Sequence, residues 1–163
     1  MRAAVADIAF EGLPAGFDRW PELLNLILGS FAFMDGVIDP PSSAHRLTLA
    51  SLAEKTTKEF CFVARKDDRL VGCVFAKEHS DALYVGKLAV DPAEQGNGIG
   101  RRLIAAVEDL ALRLRKPALE LETRVELIGN RAFFRRMGFV EVGRTAHAGY
   151  DRPTSITFRK RLA

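Results

Sequence analysis

The residues best suited to chemistry lie between Val90 and Leu103, where glycines at positions 96, 98 and 100 follow Asp91-Pro92. An apolar run, Leu83 to Val90, breaks at that Asp-Pro pair, and a long amphipathic segment begins directly after the glycines. Glycine removes side chains where the N–H groups of a starting helix are still unpaired, so an anion can approach the backbone closely. The positive end of the helix dipole adds attraction. The expected guest is a pyrophosphate. Spacing narrows the choice further. A dinucleotide fingerprint counted from Gly96 needs its third glycine at position 101, which is arginine, and no Gly-Lys-Ser/Thr triplet follows to make a P-loop. What remains is Gln95-x-x-Gly98-x-Gly100.

A second group of candidates lies downstream. From Ala118 to Arg124, Leu119, Leu121 and Thr123 alternate with Glu120, Glu122 and Arg124, so both carboxylates project from one face of a strand. Two polar loops, Asp35 to Leu47 and His147 to Pro153, carry His45, Arg46, His147, Tyr150, Asp151 and Arg152. Long loops in compact domains are more often functional than idle.

The elements that must hold these residues follow from periodicity. Val5 to Phe10 reads as a first strand. Leu23, Leu24, Ile27, Leu28 and Phe31 recur at helical spacing from Trp20 onward. Asp39-Pro40-Pro41 bars a helix in the loop that follows, and Thr48 is a natural N-cap for a short helix to about Thr57. Phe60–Arg65, Leu70–Lys77 and Leu83–Val90 are strands joined by short turns, hence antiparallel neighbours. Ile99, Leu103, Ile104, Val107, Leu110, Ala111 and Leu114 share one face of the long helix, which Lys116-Pro117 ends. Strand, helix, strand makes one parallel crossover inside an otherwise antiparallel sheet. Gly129-Asn130 opens a short helix capped by Gly138, and Phe139–Val142 and Thr154–Arg159 form a last hairpin.

Composition excludes several classes of function. The 163 residues are 48% hydrophobic and 28% charged, with a formal net charge of +3. That charge is too small to argue for nucleic acid. One domain spanning residues 1–163 is expected, and a chain of this length buries roughly 68–70% of its extended surface without metal or disulfide staples. Cys61 and Cys73 sit in apolar runs and read as small buried hydrophobes of a reducing compartment. They and the three histidines lack metal-ligand spacing. The first residues do not form a signal peptide, and no run approaches the roughly 18 apolar residues of a membrane span. A cytoplasmic protein is expected, with no membrane or nucleic-acid partner; a homodimer is left open.

Two local motifs and the element order together resemble the GNAT superfamily, the acyl-coenzyme-A-dependent N-acyltransferases. Gln95-x-x-Gly98-x-Gly100 is similar to that family's pyrophosphate motif. Asn130-x-x-x-Phe134-x-x-x-Gly138-Phe139 resembles its later Asn-x-x-x-Tyr-x-x-x-Gly-Phe signature. The resemblance is strong over residues 60–142. It implies an α/β (α+β) fold of three layers, with a central mixed, mostly antiparallel sheet of about six to seven strands flanked by about four helices. It also implies a site for acetyl-CoA as co-substrate, without metal. The strand Lys87-Leu88-Ala89-Val90 would pair with the pantetheine arm. The segment Gln95-Gly96-Asn97-Gly98-Ile99-Gly100 would take the pyrophosphate, Arg101 would add charge, and Asn130 would contact the cofactor arm or cap its own helix.

The activity implied is transfer of acetyl from acetyl-CoA to a primary amine, in a small molecule or a peptide, by direct attack. A backbone N–H near Leu88 would stabilise the oxyanion. Glu122 is the expected base, with Glu126 as a close competitor. Phe134 departs from the pattern, because many relatives carry there a tyrosine that protonates the leaving thiolate. Tyr84, Tyr150 or water would have to substitute. The same departure keeps a non-catalytic coenzyme-A sensor as the main rival, and an adaptor whose glycine turn binds nothing as the third reading.

Overall fold

The computed structural model describes residues 7–162. Its elements are β1 (Ile8–Gly12), α1 (Trp20–Phe31), α2 (Leu49–Lys58), β2 (Phe60–Lys66), β3 (Arg69–Glu78), β4 (Leu83–Val90), α3 (Ile99–Arg113), β5 (Ala118–Arg124), α4 (Ile128–Arg136), β6 (Val140–Thr145) and β7 (Ser155–Arg161). The strands form one sheet in the order β1-β2-β3-β4-β5-β7-β6. Every pairing is antiparallel except β4 with β5, the strands that α3 connects. The expected mixed sheet with four helices is therefore observed.

Alternation along the strands sorts side chains into two apolar layers. On one face, Ala64, Val74, Ala76, Leu83 and Val85 pack against Ile99, Leu103, Ile104 and Val107 of α3 and Phe134 of α4. On the other, Cys61, Val63, Cys73 and Phe75 meet Leu23, Leu26 and Ile27 of α1 and Leu52 of α2. Both cysteines are free and buried, and burial pushes the Cys61 thiol up to about 12. They pack as small hydrophobes.

Gly72 of β3 packs directly against α3. A Cβ there would stand 2.9 Å from Ile99 Cγ2, 3.1 Å from Leu103 Cδ1 and 3.3 Å from the Ala64 Cβ. Overfilling a packed layer costs about 1–3 kcal/mol, so Gly72→Ala is expected to lower the unfolding free energy by that amount in a denaturant titration.

Several boundaries differ from expectation. β1 runs to Gly12, because its ladder with β2 continues to the Gly12–Phe62 pair and Glu11 bonds Arg65 at 2.7 Å. The beginning of the expected strand, Val5 and Ala6, lies outside the described residues. Thr48 caps α2 as expected, with Ser51 reciprocating. Ser43–Arg46, past the paired prolines, forms a 3-10 turn capped by Ser42. The last strands extend to Thr145 and Arg161, beyond the expected Val142 and Arg159. α4 starts at Ile128, just before the expected Gly129-Asn130 opening, and its N-cap residue Leu127 is buried with Met34 and Ile38.

Candidate active site

β4 is not a regular strand. Cys73 pairs with Ala89 and Phe75 with Gly86, leaving Lys87 and Leu88 together opposite Val74. This bulge puts Lys87 at φ +45° and inverts the faces of the strand. Before it, Leu83 and Val85 point to α3; after it, Ala89 points to α1, and Leu88 and Val90 take over the α3 side. Without the extra residue, Lys87 would follow Leu83 and Val85 into the core. β4 and β5 pair only at Leu83–Leu119 and Tyr84–Glu120, so beyond Tyr84 the two strands part.

Two cavities open at this parting. The first, about 720 Å³, runs along Val90, Gln95, Gly96, Gly98, Ile99, Gly100 and Arg101. Gly98 is the N-cap of α3, at φ +77°, and no side chain caps that helix. A Cβ on Gly96 or Gly98 would enter open space. The N–H groups at the start of α3 are thus uncapped by any side chain and approachable. The turn is braced from beneath by Glu94, which is only 6% exposed. Glu94 takes Lys66 at 3.1 Å, Arg69 at 3.2 Å and the Asn97 amide at 3.3 Å. The Lys66 hydrogen bond holds its carboxyl below the usual carboxylate range. Sequence reading passed over Glu94; its only signal was a carboxylate inside a phosphate turn.

The second cavity, about 450 Å³, holds Tyr84, Lys87, Glu122, Thr123, Arg124 and His147. Leu88, Asn130 and Phe134 line both cavities, so the two meet there. The hydroxyl of Thr123, a residue 7% exposed, has no hydrogen-bond partner among the described residues.

The model of the acetyltransferase (GNAT) family matches residues 20–139. The chain belongs to this family. It is 34% identical over 129 residues to an IAA acetyltransferase from Azospirillum brasilense, covering 78% of this chain and 82% of the relative. Its fold is similar to that of the PaiA N-acetyltransferase from Thermoplasma acidophilum, solved in complex with coenzyme A. The TM-score is 0.80 at 14% identity, over 96% of this chain and 99% of the other. The ribosomal-protein-S18-alanine N-acetyltransferase from Escherichia coli shares the fold with a TM-score of 0.72 at 17% identity, over 96% and 95% of the two chains.

Within this GNAT fold, the sequence-predicted residues do not all converge. Ala89 is buried on the α1 side, and Asn97 turns back to Glu94. The Gln95 amide donates to the Val90 carbonyl at 3.4 Å, and the Val90 N–H donates to Ser30 Oγ at 3.1 Å. Asn130 lies inside the first turn of α4 and caps nothing. Of the three carboxylates, Glu120 is tied to Arg159 at 2.9 Å and Glu126 accepts the Asp39 N–H at 2.9 Å. Glu122 has neither tie, and it lines the second cavity.

Tyr84 lines the same cavity, whereas the Tyr150 hydroxyl donates to Asp39 at 2.5 Å and so ties the loop of residues 147–153 to that of residues 35–47, a strap made of the two loops. Burial first, then the charges of Glu122 and Glu120, push the Tyr84 phenol up to about 12. At neutral pH it keeps its proton. Arg124 fastens the strap by donating to the carbonyls of Pro40 at 2.7 Å and Pro41 at 3.2 Å.

Proposed function

We propose that this chain transfers the acetyl group of acetyl-CoA to a primary amine by direct attack. The observation that carries the reading is the meeting of the two cavities at Leu88, Asn130 and Phe134, between an uncapped helix start and a free carboxylate. The cradle suits coenzyme A: Gly96 and Gly98 leave room, the N–H groups of α3 are uncapped by any side chain, and Arg101 and Arg136 add positive charge at its wall. Acetyl-CoA supplies the activated thioester.

Glu122 takes the proton of the incoming amine, which with a pKa near 10 is mostly charged at neutral pH. The amine nitrogen bonds the thioester carbon to give a tetrahedral oxyanion, and the C–S bond breaks as that intermediate collapses, releasing the coenzyme A thiolate. Leu88, left without a ladder partner by the bulge, offers its N–H to the oxyanion. Phe134 has no proton to give to the departing thiolate. A thiol with pKa near 8.5 leaves tolerably without help, and Tyr84 is the protonated phenol in the same cavity.

Two measurements test this. Acetyl-CoA is expected to raise the melting temperature by mass action, by about 2.7 kcal/mol of stability at one hundred times its dissociation constant. Release of free thiol is expected with at least one acceptor in a panel of amines and peptides. Stabilisation without thiol release leaves a coenzyme-A sensor; no stabilisation at millimolar cofactor overturns both readings.

A further inference from the structure

The acceptor cavity has an unusual charge balance. Lys55, Lys77, Lys87 and Arg124 line it against only Glu59 and Glu122. Lys55 and Glu59 cancel each other in a pair at 2.6 Å. That leaves three cations facing one carboxylate. None of Lys77, Lys87 and Arg124 forms an ion pair among the described residues.

Lys87 is the central case. The bulge swings it out of the core, and its Nζ donates to Ser43 Oγ at 2.7 Å. Ser43 is a neutral partner. Burial, then the neighbouring cations of Lys55 and Arg46, pull the Lys87 ammonium below the ordinary lysine range. A half-buried ammonium among like charges is costly to keep. It becomes favourable when an anion arrives to share it. A cavity of about 450 Å³ suits a small molecule.

We propose that the acceptor is a free amino acid whose carboxylate is held by Lys87, with Arg124 adding charge, while its amine faces Glu122. This rests on the transferase reading and narrows it: a peptide N-terminus offers an amide where Lys87 awaits a carboxylate.

The test pairs each of the twenty common L-amino acids with its α-amide, which keeps the amine and removes the negative charge. Thiol release from acetyl-CoA is expected with at least one acid, at a kcat/KM about 10–100-fold above that of its amide, the worth of one charged hydrogen bond. Lys87→Met is expected to raise the KM of that acid by a similar factor while the KM for acetyl-CoA stays put, and Lys87→Arg to restore most of the loss. Amides that match their acids, or a Lys87→Met variant that impairs acid and amide alike, overturn the proposal and leave the transferase standing. Should no acceptor release thiol, the N-acetylated amino acids and their amides are titrated into the coenzyme-A-loaded protein. Stabilisation by acids alone, lost in Lys87→Met, supports the anion site and sinks the transferase; equal or absent stabilisation overturns the anion site.

Discussion

Gly98→Val is expected to remove most of the affinity for acetyl-CoA while leaving the fold intact. Gly98 caps α3 in the left-handed region, at φ +77°, and a valine held there costs about 1–2 kcal/mol of stability. The larger effect is on the ligand. Apart from its two chain neighbours, nothing lies within 4 Å of a Cβ at this position, so the added side chain enters open space. It would stand in the cleft, over the N–H groups meant for the pyrophosphate. A hydrogen bond to a charged group is worth about 1.5–3 kcal/mol, so one lost donor weakens binding about 10–100-fold and two weaken it about 10²–10⁴-fold. Calorimetric titration of acetyl-CoA measures the loss, and melting of the free protein measures the backbone cost separately. Saturating cofactor is expected to restore kcat, because Glu122 sits in the other cavity. An unchanged affinity would move the pyrophosphate elsewhere.

How much of this was readable beforehand depends on how local each feature is. The cradle was, because glycines, helix start and strand end are contiguous in sequence, and their physics needs no distant partner. The α3 face was, since its apolar positions repeat at helical spacing over fifteen residues. The bulge in β4 left a faint trace. Leu83 and Val85 set an odd-numbered core face, Lys87 breaks it, and Leu88 and Val90 resume on even positions. A one-residue slip in the apolar pattern is what an inserted residue looks like. Reading Leu83–Val90 as one regular strand overlooked it.

The acceptor cavity was harder to see because its charges come from distant segments. Lys55 belongs to α2, Lys77 to β3, Lys87 to β4 and Arg124 to β5, and only the sheet order β3-β4-β5 with α2 above it brings them together. The strap is of the same kind. Asp39 and Tyr150 are separated by 111 residues and joined by one hydrogen bond. Glu122 was the expected base with Glu126 close behind, and what separates the carboxylates physically is their partners. Arg159 claims Glu120 and the Asp39 N–H claims Glu126, and both partners are remote in sequence.

That sorting leads to the second large effect. Glu122→Gln is expected to lower kcat at neutral pH by about 10²–10⁴-fold, the usual worth of a positioned base, with the affinity for acetyl-CoA unchanged. Glutamine keeps the shape and the hydrogen-bonding reach but cannot take a proton. Its neighbours cannot replace it, because Glu120 and Glu126 are committed and Tyr84 holds its own proton. The pH profile separates loss of a base from loss of packing. An amine of pKa near 10 is neutral in roughly one molecule in a thousand at pH 7 and one in ten at pH 9. A variant without a base depends on that neutral fraction, so its rate should climb about tenfold per pH unit over this range, while the parent enzyme, which deprotonates the bound ammonium itself, changes less. The deficit therefore shrinks as pH rises. A deficit that stays constant from pH 7 to 9 would mean that Glu122 positions the acceptor without accepting its proton. Full kcat at pH 7 would hand proton removal to solvent and leave Glu122 with no part in the transfer.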